Sequence, residues 1–197
     1  MKRTLRIAVA DDEQDMRDYF QQILPLLGHE VVGVARTGRE LVDLCTSTHP
    51  DLVITDIKMP DMDGIDAAAQ IYRQEAIAVI LVSAYHDPEF IRRAEADHIL
   101  AYLVKPIKQS DLEPAIAIAT RRFEQFQALR KETTDLKQAL EDRKVVERAK
   151  GILMKKAGLD EAAAFRRLQK HASDKNKKLL EIAQTILTAE EAYGSTN

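Results

Sequence analysis

The sequence lacks several features that would place it in large classes of protein. Its 197 residues contain one cysteine, Cys45, which excludes an internal disulfide and a cysteine zinc cluster. No stretch approaches the roughly 18 apolar residues of a membrane span, and the Met-Lys-Arg start leads into a strand-like segment, not a cleavable signal. The five histidines show no metal-ligand spacing. We therefore expect a cytoplasmic protein with no membrane partner.

Charge is distributed unevenly along the chain, although the net charge is only −3. Residues 1–120 contain 12 Lys and Arg against 20 Asp and Glu, whereas residues 143–178 contain 12 against 4. An acidic part and a basic end indicate two domains with different partners. The acidic part is suited to a cation and the basic end to a polyanion.

Apolar runs alternate with amphipathic runs over the first part of the chain. Strands are predicted at 6–10, 31–35, 52–55, 79–83 and 100–104, and helices at 13–27, 39–47, 65–74 and 88–95, with a further helix from Ser110 onward. Gly28, Gly38 and Gly64 and the prolines at 50, 60, 88 and 106 fall between these elements or at their ends. The alternation predicts an α/β fold, a doubly wound sheet of five parallel strands with helices on both faces.

Polar side chains follow four of the predicted strands. The first strand ends at Asp11 and Asp12, the third at Asp56, the fourth at Ser83 and the fifth at Lys105. In an open parallel sheet these ends meet at one edge, where ligands bind. Clustered carboxylates repel one another unless a cation lies among them, and oxygen ligands favour Mg²⁺. A carboxylate beside Mg²⁺, an ammonium and a hydroxyl can attack a phosphoryl group.

These strand ends resemble the receiver domain of two-component response regulators. The resemblance covers roughly residues 1–120 and rests on four segments in the family's order and spacing: Val9–Glu13, Asp56–Gly64, Val82–Ala84 and Tyr102–Pro106. It implies a flavodoxin-like fold and a domain that catalyses only its own phosphorylation and dephosphorylation. The phosphate donor would be a sensor histidine kinase.

The resemblance also implies a role for each residue of the site. Asp56 would be the phosphoacceptor. Mg²⁺ would be bound by Asp11, Asp12, Asp56 and the Lys58 carbonyl. Ser83 and Lys105 would contact the phosphoryl oxygens, the Lys105–Pro106 bond would be cis, and Tyr102 would be a switch residue. The alternative for Tyr102 is a plain core aromatic. His86, on the loop after Ser83, is a candidate for tuning the reaction rate.

The segment that follows has no proline or glycine between Ala115 and Lys150, which predicts a helix much longer than a receiver domain needs. Within a linker at 121–140, five residues follow the 3-4 spacing of a coiled-coil seam: Phe126, Leu129, Thr133, Leu136 and Leu140. The alternative is a helix that packs on its own chain.

The basic end predicts two more helices, at 161–171 and 179–187, which with the end of the long helix form a small all-α unit of three helices. Ala164, Phe165 and Leu168 are predicted to face its interior. Three segments resemble the ANTAR domain, an RNA-binding output module of transcription antiterminators, over residues 135–192: Val145–Met154, Asp160–Phe165 and Asn176–Ala183.

The ANTAR resemblance implies contacts with RNA hairpin loops. The candidate residues are Arg148, Ala149, Lys150, Gly151, Lys155, Lys156, Lys175, Asn176, Lys177 and Lys178. The alternative is a solvated basic face, which is the usual meaning of a lysine run.

The favoured interpretation is an RNA-binding regulator controlled by phosphorylation. Phosphorylation of Asp56 would favour a homodimer through the long helix, and the paired output units would bind a two-hairpin transcript element that blocks a terminator. One alternative is a phosphorelay adaptor that acts through protein contacts. Another is a DNA-binding regulator, which ranks lower because the last two helices lack base-reading residues clustered at one helix start.

Overall fold

A computed structural model describes residues 3–84 and 99–194. The strands are β1 (Arg6–Ala10), β2 (Glu30–Ala35), β3 (Leu52–Asp56), β4 (Ala78–Ser83) and β5 (Ile99–Val104). The helices of this described part are α1 (Gln14–Leu26), α2 (Gly38–Thr48), α3 (Gly64–Gln74), α4 (Gln109–Ala157), α5 (Glu161–Asp174) and α6 (Leu179–Gly194). The predicted helix at 88–95 and His86 lie outside the described residues. Contacts divide the chain into two compact units, Met1–Gln127 and Ala128–Asn197.

The first unit contains one sheet of five parallel strands in the order β2-β1-β3-β4-β5. This arrangement confirms the predicted doubly wound fold. Alternation along the strands explains its two cores, because successive side chains point to opposite faces. In β1, Ile7 and Val9 belong to one buried cluster, and Ala8 belongs to the other. Cys45 of α2 is buried in that second cluster.

The connection from β3 to α3 is held close to the end of its strand. The Ile57 N–H donates to the Val82 carbonyl at 3.1 Å, and the Gly64 N–H donates to the Ile57 carbonyl at 2.8 Å. A Cβ on Gly64 would lie 2.0 Å from the Asp56 carbonyl oxygen, so only glycine allows this approach of the backbone. The start of α3 is thereby fixed beside Asp56.

The second unit packs α5 and α6 against the end of α4. Its small core consists of Ala149, Leu168, Ile182 and Ala183, with partly buried aliphatic side chains around them. The prediction that Phe165 faces this core is wrong, because its side chain is 37% exposed. In a unit this small, Ala164 and Leu168 are enough to cover the inner face of α5.

Helix α4 contains 49 residues, which confirms the long uninterrupted helix predicted from the absence of proline and glycine. Across residues 3–84 and 99–194, none of the helices combines the length and the apolar character that a membrane crossing requires.

Candidate functional site

Three carboxylates meet at the carboxyl edge of the sheet. Asp11 and Asp12 follow the last residue of β1, and Asp56 ends the neighbouring strand β3. One oxygen of each lies within 4.8 Å of the others. Asp11 and Asp56 are buried, whereas Asp12 is exposed to solvent. This set of oxygen donors could hold a hard divalent cation, with the exposed side open for water ligands.

The Lys105 ammonium lies among these carboxylates. Its Nζ is 2.9 Å from Asp11 Oδ2, 2.9 Å from Glu13 Oε1 and 3.4 Å from Asp56 Oδ2. The Lys105 N–H donates to the Ser83 carbonyl at 2.9 Å, which joins the ends of β5 and β4. The Lys105–Pro106 bond is cis, as predicted. One cation is therefore shared by three anions in a largely water-excluded position.

Burial is the largest influence on the pKa of the two buried carboxyl groups in this cluster. It raises the pKa of Asp56 to about 6, against the lowering effect of the Lys105 charge, and the Asp11 charge adds to the rise. Burial also raises the pKa of Asp11. For Lys105, burial alone would lower the pKa, but hydrogen bonds to Glu13 and Asp11 hold it above its ordinary value. Ionising Asp11 and Asp56 therefore costs free energy, and a bound cation would reduce that cost.

Two residues of this site were missed by the sequence analysis. Arg17 is buried, and its guanidinium donates to the carbonyls of Asp11 at 2.6 Å and Asp12 at 2.8 Å. The sequence did indicate its burial, because the helical spacing places Arg17 on the same face of α1 as the core residue Phe20. Glu13, which pairs with Lys105, lies at the end of the Val9–Glu13 segment, but its sequence position predicted no role for it. Arg17 fixes the acidic loop, and Glu13 extends the acidic cluster.

The remaining predicted residues of the site lie on neighbouring elements. Ser83 is buried at the end of β4. Tyr102 of β5 is half-buried and packs against the core cluster that includes Leu81. Lys58 lies on the exposed loop after β3. The topology therefore places the ends of β1, β3 and β4 and the residue after β5 along one edge of the sheet.

The ten predicted RNA contacts fall into two groups in the second unit. Eight of them are exposed, either near the end of α4 or on the turn between α5 and α6: Arg148, Gly151, Lys155, Lys156, Lys175, Asn176, Lys177 and Lys178. Asn176 adopts a left-handed conformation with φ of 50°, which asparagine tolerates better than most residues. The left-handed backbone is therefore one reason for an asparagine at this position, beside its predicted contact with RNA.

Ala149 and Lys150 are buried, which is at odds with direct contact to RNA in this conformation. Lys150 Nζ lies 2.7 Å from Glu147 Oε2 and 2.7 Å from Glu161 Oε1. Hydrogen bonds to Glu147 and Glu161 raise the pKa of Lys150, and the bond from Lys150 lowers the pKa of Glu161. Lys150 therefore joins α4 to α5, while Ala149 fills the core between the helices.

A buried acidic cluster with a shared lysine at the carboxyl edge of a five-stranded α/β sheet defines the receiver class. Comparison with protein families agrees, because the response regulator receiver domain matches residues 7–117 and the ANTAR domain matches residues 134–187. The chain belongs to the response regulators that carry a receiver domain followed by an ANTAR domain.

The relatives support this assignment over most of the chain. The transcriptional regulatory protein PdtaR of Mycobacterium tuberculosis is 41% identical over 182 residues, which cover 92% of this chain and 89% of that protein. Among solved structures, a receiver domain protein from Clostridium thermocellum is 31% identical with a TM-score of 0.56. The receiver domain of NarL from M. tuberculosis is 28% identical with a TM-score of 0.57. Each structure covers 61% of this chain and is itself covered to 98%.

Proposed function

We propose that Asp56 accepts a phosphoryl group from a sensor histidine kinase. The observation that carries this proposal is the position of the Asp56 carboxylate. Its Oδ1 accepts the Ile57 N–H at 2.8 Å, and its Oδ2 lies 3.4 Å from Lys105 Nζ. We assign the attack on phosphorus to Oδ2. The new O–P bond forms as the bond from phosphorus to the donor's ring nitrogen breaks, and that nitrogen leaves with the electron pair.

The proposed cation is Mg²⁺, held by Asp11, Asp12, Asp56 and the Lys58 carbonyl. The donor set fits because it consists of oxygen atoms. Burial raises the pKa of Asp11 and Asp56, and a cation would offset the negative charge that burial disfavours. Bound Mg²⁺ would supply positive charge to the phosphoryl oxygens.

Lys105 and Ser83 complete the proposed phosphoryl site. The ammonium of Lys105 would hold one phosphoryl oxygen and the hydroxyl of Ser83 another. Tyr102, on the strand next to Ser83, is the proposed switch, which turns inward when Ser83 moves toward the phosphate. The half-buried position of its ring is compatible with such a turn.

Intact mass after treatment with acetyl phosphate and Mg²⁺ tests the phosphoacceptor. The wild type should gain the mass of one phosphoryl group, and Asp56→Asn should gain none. Asp15→Asn is the matched control, because it removes an exposed carboxylate from the first turn of α1. Equal uptake by the wild type and Asp56→Asn would show that another residue is the acceptor.

We further propose that the second unit binds RNA hairpin loops and so controls transcription antitermination in the cytoplasm. The ANTAR match and the eight exposed candidates support this proposal. Phosphate contacts would provide most of the affinity, which should fall as salt rises. Loop bases would provide the specificity, because an A-form duplex hides its base edges in a deep and narrow groove.

Dimerisation through α4 is the proposed link between phosphorylation and RNA binding. The seam leucines Leu129, Leu136 and Leu140 are 62%, 65% and 54% exposed. Their exposure weighs against the alternative that this stretch packs on its own chain. A second copy of the helix would bury them at coiled-coil spacing. Two linked units could then bind paired hairpins with a gain of about 10²–10⁴ in affinity.

The output proposal is tested by titrating phosphorylated and unphosphorylated protein against RNAs with one hairpin and with two. Duplex DNA serves as a parallel control. Phosphorylation should tighten binding to the two-hairpin RNA much more than to the single hairpin. If it tightens both equally, or neither, then dimer-coupled recognition is wrong, and an adaptor that acts through protein contacts is the better explanation.

A further inference from the structure

A groove runs between the end of α4 and the facing side of α6 in the second unit. Its volume is about 370 Å³. Gly151 lies in the groove between the apolar side chains Ile152 and Leu187. Arg148, Lys155 and Lys156 of α4 and Glu190 of α6 also line it. The groove therefore combines an apolar wall, a cationic rim and one residue without a side chain.

Gly151 is the informative residue, because the described part of the chain gives no packing reason for a glycine there. Glycine inside a helix costs about 0.5–1 kcal/mol relative to alanine. Among the described residues, a Cβ on Gly151 would meet no atom within 4 Å beyond its own helix backbone. Close packing inside the protein is therefore not the reason for this glycine. The open space beside Gly151 leaves room for a group that approaches the helix backbone from outside.

Two of the three cations on the rim are already paired with carboxylates of α6. Lys156 forms an ion pair with Glu190, and Arg148 lies 3.9 Å from Glu191. All four side chains are substantially exposed, and exposed ion pairs contribute little stability. A phosphate can therefore displace either carboxylate at small cost, but it must compete with that carboxylate to bind.

We propose that this groove holds one unpaired nucleotide of an RNA loop. The flat face of its base would lie against Gly151, and the phosphates on either side of the nucleotide would contact Arg148 and Lys156. We infer also that Glu190 and Glu191 are internal competitors for those cations. They would weaken binding to any phosphate chain, so that only an RNA that also fills the groove binds well. This inference rests on the proposed RNA-binding function, and it assigns the site and its specificity.

Substitutions at Gly151 separate this site from folding. Alanine and leucine are better helix formers than glycine, so Gly151→Ala and Gly151→Leu should leave thermal stability unchanged or raise it. Gly151→Leu should nevertheless reduce affinity at least tenfold for hairpins selected by the wild type from a pool with a fixed stem and randomised loops. Affinity for the same stem as a plain duplex should change by less than twofold. Ala162→Leu, at an exposed position of α5, is the matched control and should alter neither the affinity for the hairpins nor the affinity for the duplex.

The competitor role is tested with the double variant Glu190→Gln, Glu191→Gln. It should bind the plain duplex about three- to tenfold more tightly than the wild type does. The selected hairpins should gain less, so the ratio of hairpin to duplex affinity should fall. An unchanged ratio would remove the competitor role.

Two results distinguish a failure of the proposed groove site from a failure of the RNA-binding function on which that proposal rests. If the wild type enriches no hairpin from the pool, the RNA-binding function itself fails. If the wild type selects hairpins and a folded Gly151→Leu binds them equally well, RNA binding stands but the groove is not its nucleotide site.

Discussion

Replacing Asp56 with asparagine should stabilise the protein when no divalent metal is present. Burial raises the pKa of Asp56 from its ordinary value of 3.8 to about 6. Between these values the folded state holds a proton that the unfolded state has lost, so stability falls as pH rises through this range. Above pH 6 the folded protein bears the full cost of the charge. At about 1.4 kcal/mol per pKa unit, that cost is at most about 3 kcal/mol.

Asparagine keeps the shape of the side chain and can still accept the Ile57 N–H with its Oδ1. Lys105 keeps its contacts with Asp11 and Glu13. Little should therefore be lost in exchange for the removed charge. In the presence of a chelator at pH 7.5, Asp56→Asn should be more stable than the wild type by up to about 3 kcal/mol. At pH 4.5 most of this difference should disappear.

The assay is urea unfolding followed by circular dichroism at both pH values, with chelator and with Mg²⁺. Mg²⁺ should stabilise the wild type more than Asp56→Asn, because the variant has lost one charged ligand. Asp15→Asn should change stability by less than about 0.5 kcal/mol, as exposed substitutions usually do. The reasoning is refuted if Asp56→Asn is less stable at pH 7.5, or if its advantage is the same at both pH values.

Three further perturbations have defined outcomes. Gly64→Ala places a Cβ 2.0 Å from the Asp56 carbonyl oxygen. Urea unfolding should therefore show a loss of about 1–3 kcal/mol in the free energy of unfolding, and calorimetry should show weaker Mg²⁺ binding. Unchanged values for both would contradict the steric argument. Lys150→Met should lower the thermal stability of the second unit at pH 7. This loss of stability should become smaller toward pH 4. Lys150 lowers the pKa of Glu161, so the stability that this ion pair contributes disappears as pH falls through the folded-state pKa of Glu161. A loss that does not change with pH would show that Lys150 stabilises the unit by packing and not by its charge. Cys45, whose pKa burial raises to about 12, should react with a disulfide reagent at pH 8 far more slowly in the folded protein than in urea, and equal rates would show that the thiol is accessible.

The main features of the receiver unit could be predicted from the sequence, because each depends on local pattern and chain order. Apolar runs fixed the strands to within one residue or two. Once the strands were known to be parallel, Asp11, Asp56 and Lys105 had to come to the same edge of the sheet. The cis bond after Lys105 came from the family resemblance, not from any physical pattern.

The errors and omissions concern contacts between elements. Lys150 belongs to a basic run, and its sequence context gave no sign that Glu161, eleven residues later, pairs with it. Glu13 and Lys105 are 92 residues apart, so their contact depends on the finished sheet. Phe165 has the spacing of a core residue, but its exposure is set by how little surface three short helices can cover. Side-chain burial in a small unit depends on packing geometry, which periodicity alone does not determine.

The position of the Lys105 ammonium at the sheet edge has a consequence for the proposed phosphorylation of Asp56. Lys105 is surrounded by carboxylates from the β1 and β3 ends, and Glu13 adds another. A phosphoryl group would replace the charge of Asp56 with nearly two negative charges. The added charge would lie beside the carboxylates of Asp11 and Glu13, so bound Mg²⁺ would be needed to offset it. Phosphorylation would then depend on the concentration of free Mg²⁺ as well as on the phosphate donor.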